Sequence, residues 1–167
     1  MFRVFCAAGR KSLVGAAAFA AFAVVAAGQS SDAAAAEIVI TVTKFHALDR
    51  ADELSSGDFF ARMRINGKAA FSPVLTGETV FTPNWKLTLP AKSGKNDVNL
   101  SLIDKDVSVD DPIDINRIGN KRDLAFTVNP KPCRIEGFAQ TYKCGQTITR
   151  EGSETKKASI SFTVEVK

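Results

Sequence analysis

Five aspartates fall within eleven residues of this chain: Asp104, Asp106, Asp110, Asp111 and Asp114. Only Lys105 offsets them locally. Like charges this close repel and raise each other's pKa, so the cluster calls for neutralisation. A hard divalent cation does that directly. Calcium takes six to eight oxygen ligands in flexible geometry, carboxylates prominent among them. Asp104 and Asp106 are two apart at a strand end, and in an extended chain such residues point the same way. A loop curling back brings Asp110 or Asp111 to the same place. A second acidic loop, DRADELSSGD over Asp49–Asp58, adds Asp52 and Asp58 if it lies alongside. The alternative is a solvated acidic loop. An EF-hand is excluded, because the sixth-position glycine and the terminal glutamate are missing.

The elements that must carry these loops read as strands. Ile38, Ile40 and Val42 alternate with Val39, Thr41 and Thr43. Phe59, Ala61, Met63 and Ile65 alternate with Phe60, Arg62 and Arg64, and Asn66-Gly67 then predicts a tight hairpin turn. Trp85, Leu87 and Leu89 form another set, as do Val98, Leu100 and Leu102. Leu124, Phe126 and Val128 repeat the pattern, and Ile160, Phe162, Val164 and Val166 close the chain. Period-two alternation broken by Gly, Pro, Asp and Asn predicts an all-β antiparallel sandwich. No stretch carries a helical period. Trp85 belongs to the core, and His46 reads as a surface residue at the end of the first strand.

Residues 1–36 are set apart. Arg3, Arg10 and Lys11 precede a 15-residue apolar run, Leu13–Ala27, and small residues lead up to Glu37. That order predicts a secretory signal peptide over 1–36 and one domain over 37–167. The run is shorter than the roughly 20 residues that span a bilayer. No transmembrane segment is expected after cleavage, and the expected location is the periplasm or outside the cell. The remaining chain carries 19 basic and 17 acidic side chains, too balanced for a nucleic-acid partner. Cys133 and Cys144 remain as a pair, and an oxidising compartment predicts a disulfide between them. Their spacing fits neither a CxxC redox motif nor a metal knuckle. The stretch from Asn129 to Lys157 that carries them reads as an inserted, stapled hairpin.

Taken in order, these segments resemble the C2 domain, a calcium- and lipid-binding β-sandwich. The resemblance starts at Ile38-Val39-Ile40-Thr41-Val42 and Ala47-Leu48. It continues through Gly57-Asp58-Phe59-Phe60, Thr82-Pro83-Asn84-Trp85, the strand ending Leu102-Ile103-Asp104-Lys105-Asp106, and Asp111-Pro112-Ile113. It covers roughly residues 38–128 and implies eight strands, with the cysteine-bearing insertion as an addition. In the family, five aspartates from two loops bind calcium. The resemblance assigns these roles to Asp52, Asp58, Asp104, Asp106 and Asp111, with Asp110 as substitute for Asp111 and Asp49 as a weaker candidate. Asp114 stands where the family usually has glycine.

The function so implied is calcium-dependent binding to anionic phospholipid surfaces, with Leu54, Val107 and Val109 as shallow membrane contacts. Those three side chains can equally pack against neighbouring loops. The alternative is a calcium-stabilised periplasmic or secreted domain that binds a protein or glycan. No catalytic triad, zinc spacing or phosphate loop is visible, so an enzyme is not expected. Lys156-Lys157 and Lys121-Arg122 read as solvated basic pairs, with an anionic-lipid or polysaccharide patch as the alternative.

Overall fold

The computed structural model describes residues 36–49, 57–77, 79–106 and 109–167. The strands in chain order are β1 (Glu37–Ala47), β2 (Asp58–Ile65), β3 (Lys68–Phe71), β4 (Leu75–Thr76), β5 (Val80–Phe81), β6 (Trp85–Pro90) and β7 (Asn96–Asp104). They continue with β8 (Asp111–Ile113), β9 (Leu124–Asn129), β10 (Arg134–Glu136), β11 (Tyr142–Lys143), β12 (Ile148–Glu151) and β13 (Ala158–Val166). Eight of them have four residues or more, one of which, β12, lies inside the Asn129–Lys157 stretch; the others are two or three residues long. No helix occurs among the described residues.

Two antiparallel sheets form. One runs β12-β13-β1, with β6 pairing the first half of β1 and β5 its end. The other runs β11-β10-β9-β7-β2-β3, with β4 added to β2 and β8 to β7. Alternation explains the layering, since successive side chains of a strand face opposite sides. Phe59, Ala61, Met63 and Ile65 of β2, Val98, Leu100 and Leu102 of β7, and Ile160, Phe162 and Val164 of β13 all lie in one buried core. Trp85 is in it as expected, 5% exposed. At the β2–β3 turn, Asn66 and Gly67 have φ of 50° and 82°. Consecutive positive φ values are what a type I′ hairpin turn requires.

One departure from strict alternation matters for the site. Ile38, Ile40 and Val42 point inward, and so does Phe45, three residues after Val42. The register of β1 against β13 shifts between Val42 and Lys44. This β-bulge lets Phe45 join the core instead of facing outward. Its ring stacks on Phe81 at 4.6 Å and on Trp85 at 5.5 Å, and meets Phe59 edge-on at 5.3 Å. This aromatic cluster lies at the end of the sandwich where β2 begins.

The cysteine-bearing stretch is more than a stapled hairpin. Cys133 and Cys144 are bonded, with Cα atoms 5.5 Å apart, across the β10–β11 hairpin on the second sheet. The chain then crosses to the first sheet, where β12 pairs β13. The stretch thus contributes an edge to both sheets. The Arg150 guanidinium sits 4.3 Å from the centre of the Phe138 ring, a cation–π contact between the two parts.

Truncating the ring at the bulge removes a fully buried side chain with three aromatic neighbours. Phe45→Ala is expected to lower stability by about 3–5 kcal/mol, measured by denaturant unfolding.

Candidate functional site

The acidic residues gather at the strand ends because of register. Asp104 is the last residue of β7 and has the same parity as Leu100 and Leu102, so its side chain follows theirs inward; it is 2% exposed. Asp104 pairs with Phe59 on β2 and with Asp111 on β8. Asp58, Asp104 and Asp111 therefore sit on three adjacent strands at one end of one sheet. The Asp58 N–H donates to Asp104 Oδ1 at 2.8 Å, and Lys105 N–H donates to the Asp58 carbonyl at 2.7 Å. Gly57 is buried against this junction. A Cβ there would meet Phe59 Cζ at 2.6 Å and Asp104 Oδ1 at 3.0 Å. The aromatic cluster thus forms the floor on which the Asp104 carboxylate rests.

The remaining expected site residues divide. Asp106 lies just past the end of β7 and is partly exposed. Asp110 is exposed and lines a shallow apolar depression with Phe60, Phe71, Ser72, Val74 and Lys105. Val109 is 71% exposed. Asp52, Leu54 and Val107 lie outside the described residues. Among the described residues, no three Asp, Glu, His or Cys side chains are placed so that they could hold a metal ion. Register pairs Asp104 with Asp111 and sets Asp58 one position from Phe59, the β2 partner of Asp104; the donors concerned are carboxylate oxygens. That chemistry fits a hard cation such as calcium and not a thiolate- or imidazole-seeking metal. His46 is partly buried on β1, opposite Ser159 and Val80.

Asp114 has a different task from its neighbours. It is fully buried. Its Oδ1 accepts the Asn116 N–H at 2.9 Å, and its Oδ2 accepts the N–H groups of Ser153 and Glu154 at 2.8 and 2.7 Å. Three backbone donors satisfy a buried carboxylate with no metal. Gly152 approaches so closely that a Cβ there would lie 2.2 Å from the Asp114 carbonyl oxygen. Asp114 therefore anchors the β12–β13 loop.

Two basic residues that read as solvated are tied into the site. Lys156 Nζ donates to Asp111 Oδ2. Arg122 Nη1 donates to the carbonyls of Pro112 at 3.0 Å and Thr155 at 2.9 Å. Lys105 is thus not the sole local counter-charge. The lysine arrives from 45 residues away in sequence, which local charge patterning does not register. Asp49, the weaker loop candidate, accepts the Lys157 N–H at 3.3 Å.

No family model matches the chain, and no curated protein does. Solved structures do. A single C2 domain of a plant extended synaptotagmin 1 aligns with a TM-score of 0.55 at 10% identity, covering 80% of this chain and 95% of that one. The fold is that of a C2 domain. The paired C2 domains of extended synaptotagmin 2, in a calcium-bound structure, align with a TM-score of 0.53 at 13% identity over 78% of this chain and 45% of that one. The human GIVD cytosolic phospholipase A2 aligns with a TM-score of 0.54 at 17% identity over 79% of this chain. Our chain covers only 17% of that enzyme's length. On this C2 fold, the paired ends of β2, β7 and β8 carry Asp58, Asp104 and Asp111, three of the acidic residues that the sequence singled out.

The two buried aspartates at this end should respond differently to substitution. Asp104→Asn keeps an oxygen for the Asp58 N–H and is expected to leave stability within about 1 kcal/mol. Asp114→Ala strands several backbone donors and is expected to cost about 3 kcal/mol or more in the same denaturant measurement.

Proposed function

We propose that this chain is a calcium-dependent binding module that docks on anionic phospholipid surfaces and has no enzymatic activity of its own. The observation that carries the reading is the register that sets Asp58, Asp104 and Asp111 on adjacent strands at one end of a C2 fold. Asp58, Asp104, Asp106 and Asp111 would hold the ion with Asp52 from the first loop, Asp110 substituting for Asp111. The calcium-bound state of one structural neighbour supports the choice of ion. Bound calcium supplies positive charge and coordination positions that a lipid phosphate can fill.

The chain's own residues do the rest. Without a cation the acidic loops oppose an anionic surface, and neutralising their carboxylates removes that barrier. Val109, and with it Leu54 and Val107, then meets the bilayer. Phe71 and Val74, 61% and 38% exposed beside Asp110 and Lys105, add apolar surface at the same end. Each valine so buried contributes about 1.5–3 kcal/mol at most. The proposed location is outside the cytoplasm, in the periplasm or beyond, following the signal peptide read over 1–36. The Cys133–Cys144 bridge supports an oxidising compartment.

Thermal unfolding tests the ion and vesicles test the surface. Calcium should raise the midpoint where magnesium does not, by about 2.7 kcal/mol of stability at a hundredfold excess over Kd. Asp104→Asn and Asp58→Asn should reduce the rise. Phosphatidylserine-containing vesicles should sediment the protein with calcium and not with chelator. A midpoint that calcium leaves unmoved overturns the ion. A rise without sedimentation favours instead a calcium-stabilised domain that binds a protein or glycan.

A further inference from the structure

The loop between β12 and β13 is stitched into the acidic end from both sides. On one side, Asp114 N–H donates to the Lys156 carbonyl at 2.8 Å, and Ala158 N–H donates to the Asp114 carbonyl at 2.8 Å. On the other, Leu48 and Asp49 donate their N–H groups to the Lys157 carbonyl at 2.9 and 3.3 Å. The loop therefore threads between the start of the first acidic loop and the strand that follows the last. Lys156 occupies this seam with φ of 56°, in the left-handed region that non-glycine residues seldom adopt. Its own carbonyl is held by Asp114 and that of the next residue by Leu48 and Asp49, and its ammonium is delivered to Asp111. That side chain is 35% exposed, so it is not a freely solvated tail.

We propose that Lys156 is a tethered counter-ion of the acidic loops and competes with the divalent cation for Asp111. This rests on the calcium reading above and assigns that site its regulation. A carboxylate oxygen that accepts an ammonium has less capacity for a metal, and a positive charge a few ångströms away repels one. Lys156 thus weakens calcium binding and keeps the loops from carrying their full negative charge when no calcium is present. The loops switch on only where calcium is plentiful enough to outcompete the lysine. The chain sets that threshold through a residue outside the five-aspartate set.

Calcium titration by calorimetry on the purified full chain tests this, with Lys156→Met, Lys156→Arg and, as a remote charge control, Lys86→Met on the other sheet. Lys156→Met should tighten calcium binding by about tenfold, the size expected for removing one charge a few ångströms from a divalent ion near the surface. Lys156→Arg and Lys86→Met should stay within about twofold of the parent. In chelator, Lys156→Met should unfold at a lower temperature than the parent, and in saturating calcium the order should narrow or reverse. Should Lys156→Met fold poorly, Lys156→Gln carries the same expectation. A parent that binds calcium and a Lys156→Met variant that binds it no more tightly overturns the competition alone. Binding by the variant and not by the parent supports it. Binding by neither overturns the calcium reading, and this inference with it.

Discussion

A carboxylate withdrawn from water must be given donors or a cation, and this end of the sandwich is organised around that demand. Asp104 and Asp114 are both buried, and both are met by backbone N–H groups. Asp111, more exposed, is met by an ammonium. Each solution ties together segments distant in sequence. Asp104 joins β7 to the start of β2, 46 residues away, and Asp114 joins the end of β8 to the β12–β13 loop, 39 and 40 residues away. The loop ends are thus held by carboxylates that reach across the fold.

The core makes this arrangement possible from below. Without the bulge in β1, Phe45 would face away from Phe59, Phe81 and Trp85, and the aromatic layer under Gly57 and Asp104 would lose its centre. A bulge reverses parity at modest cost because it sacrifices one ladder position and keeps the rest. The opposite end of β7 is pinned in a related way. Asn96 is fully buried; its Oδ1 accepts the Lys92 N–H at 2.8 Å, and its Nδ2 donates to the Gly94 carbonyl at 2.7 Å. The inward face of the strand that carries Asp104 thus has a hydrogen-bonded polar side chain at each end and Val98, Leu100 and Leu102 between. Its register is fixed against slippage, and the position of Asp104 with it.

Much of this was legible in the residues. Alternation in β2, β6, β7, β9 and β13 marked the core faces correctly, because one buried face per strand leaves a period that composition cannot hide. Asn66-Gly67 marked its turn for a local conformational reason. The aspartates at the ends of β7 and β2 were legible because they break off apolar alternation just where a strand must end. Phe45 was not, since a bulge has no signature in a run of apolar and polar residues. The role of Asp114 was hidden as well. Within its local run it reads as one more acid, and only pairing with residues 153 and 154 distinguishes it. Lys156 was hidden for the same reason: a charge is read from its neighbours in sequence, and its partner is not among them.

The C-terminal stretch places Lys156 at this acidic end. It adds to both sheets in turn. β10 and β11 lengthen one sheet, β12 lengthens the other, the disulfide closes the β10–β11 hairpin, and the Arg150–Phe138 contact ties β12 to it. A chain leaving β12 from a fixed edge has little freedom in where it turns. The close approach of Gly152 to Asp114 and the capture of residues 153 and 154 take up what remains. Lys156 follows two residues after that capture, so backbone bonds on both sides of it help to place it beside Asp111. An exposed ion pair assembled from two flexible side chains is worth little, because ordering them offsets the attraction. Here the backbone has been ordered already, and the lysine can hold its position against Asp111 at small further cost.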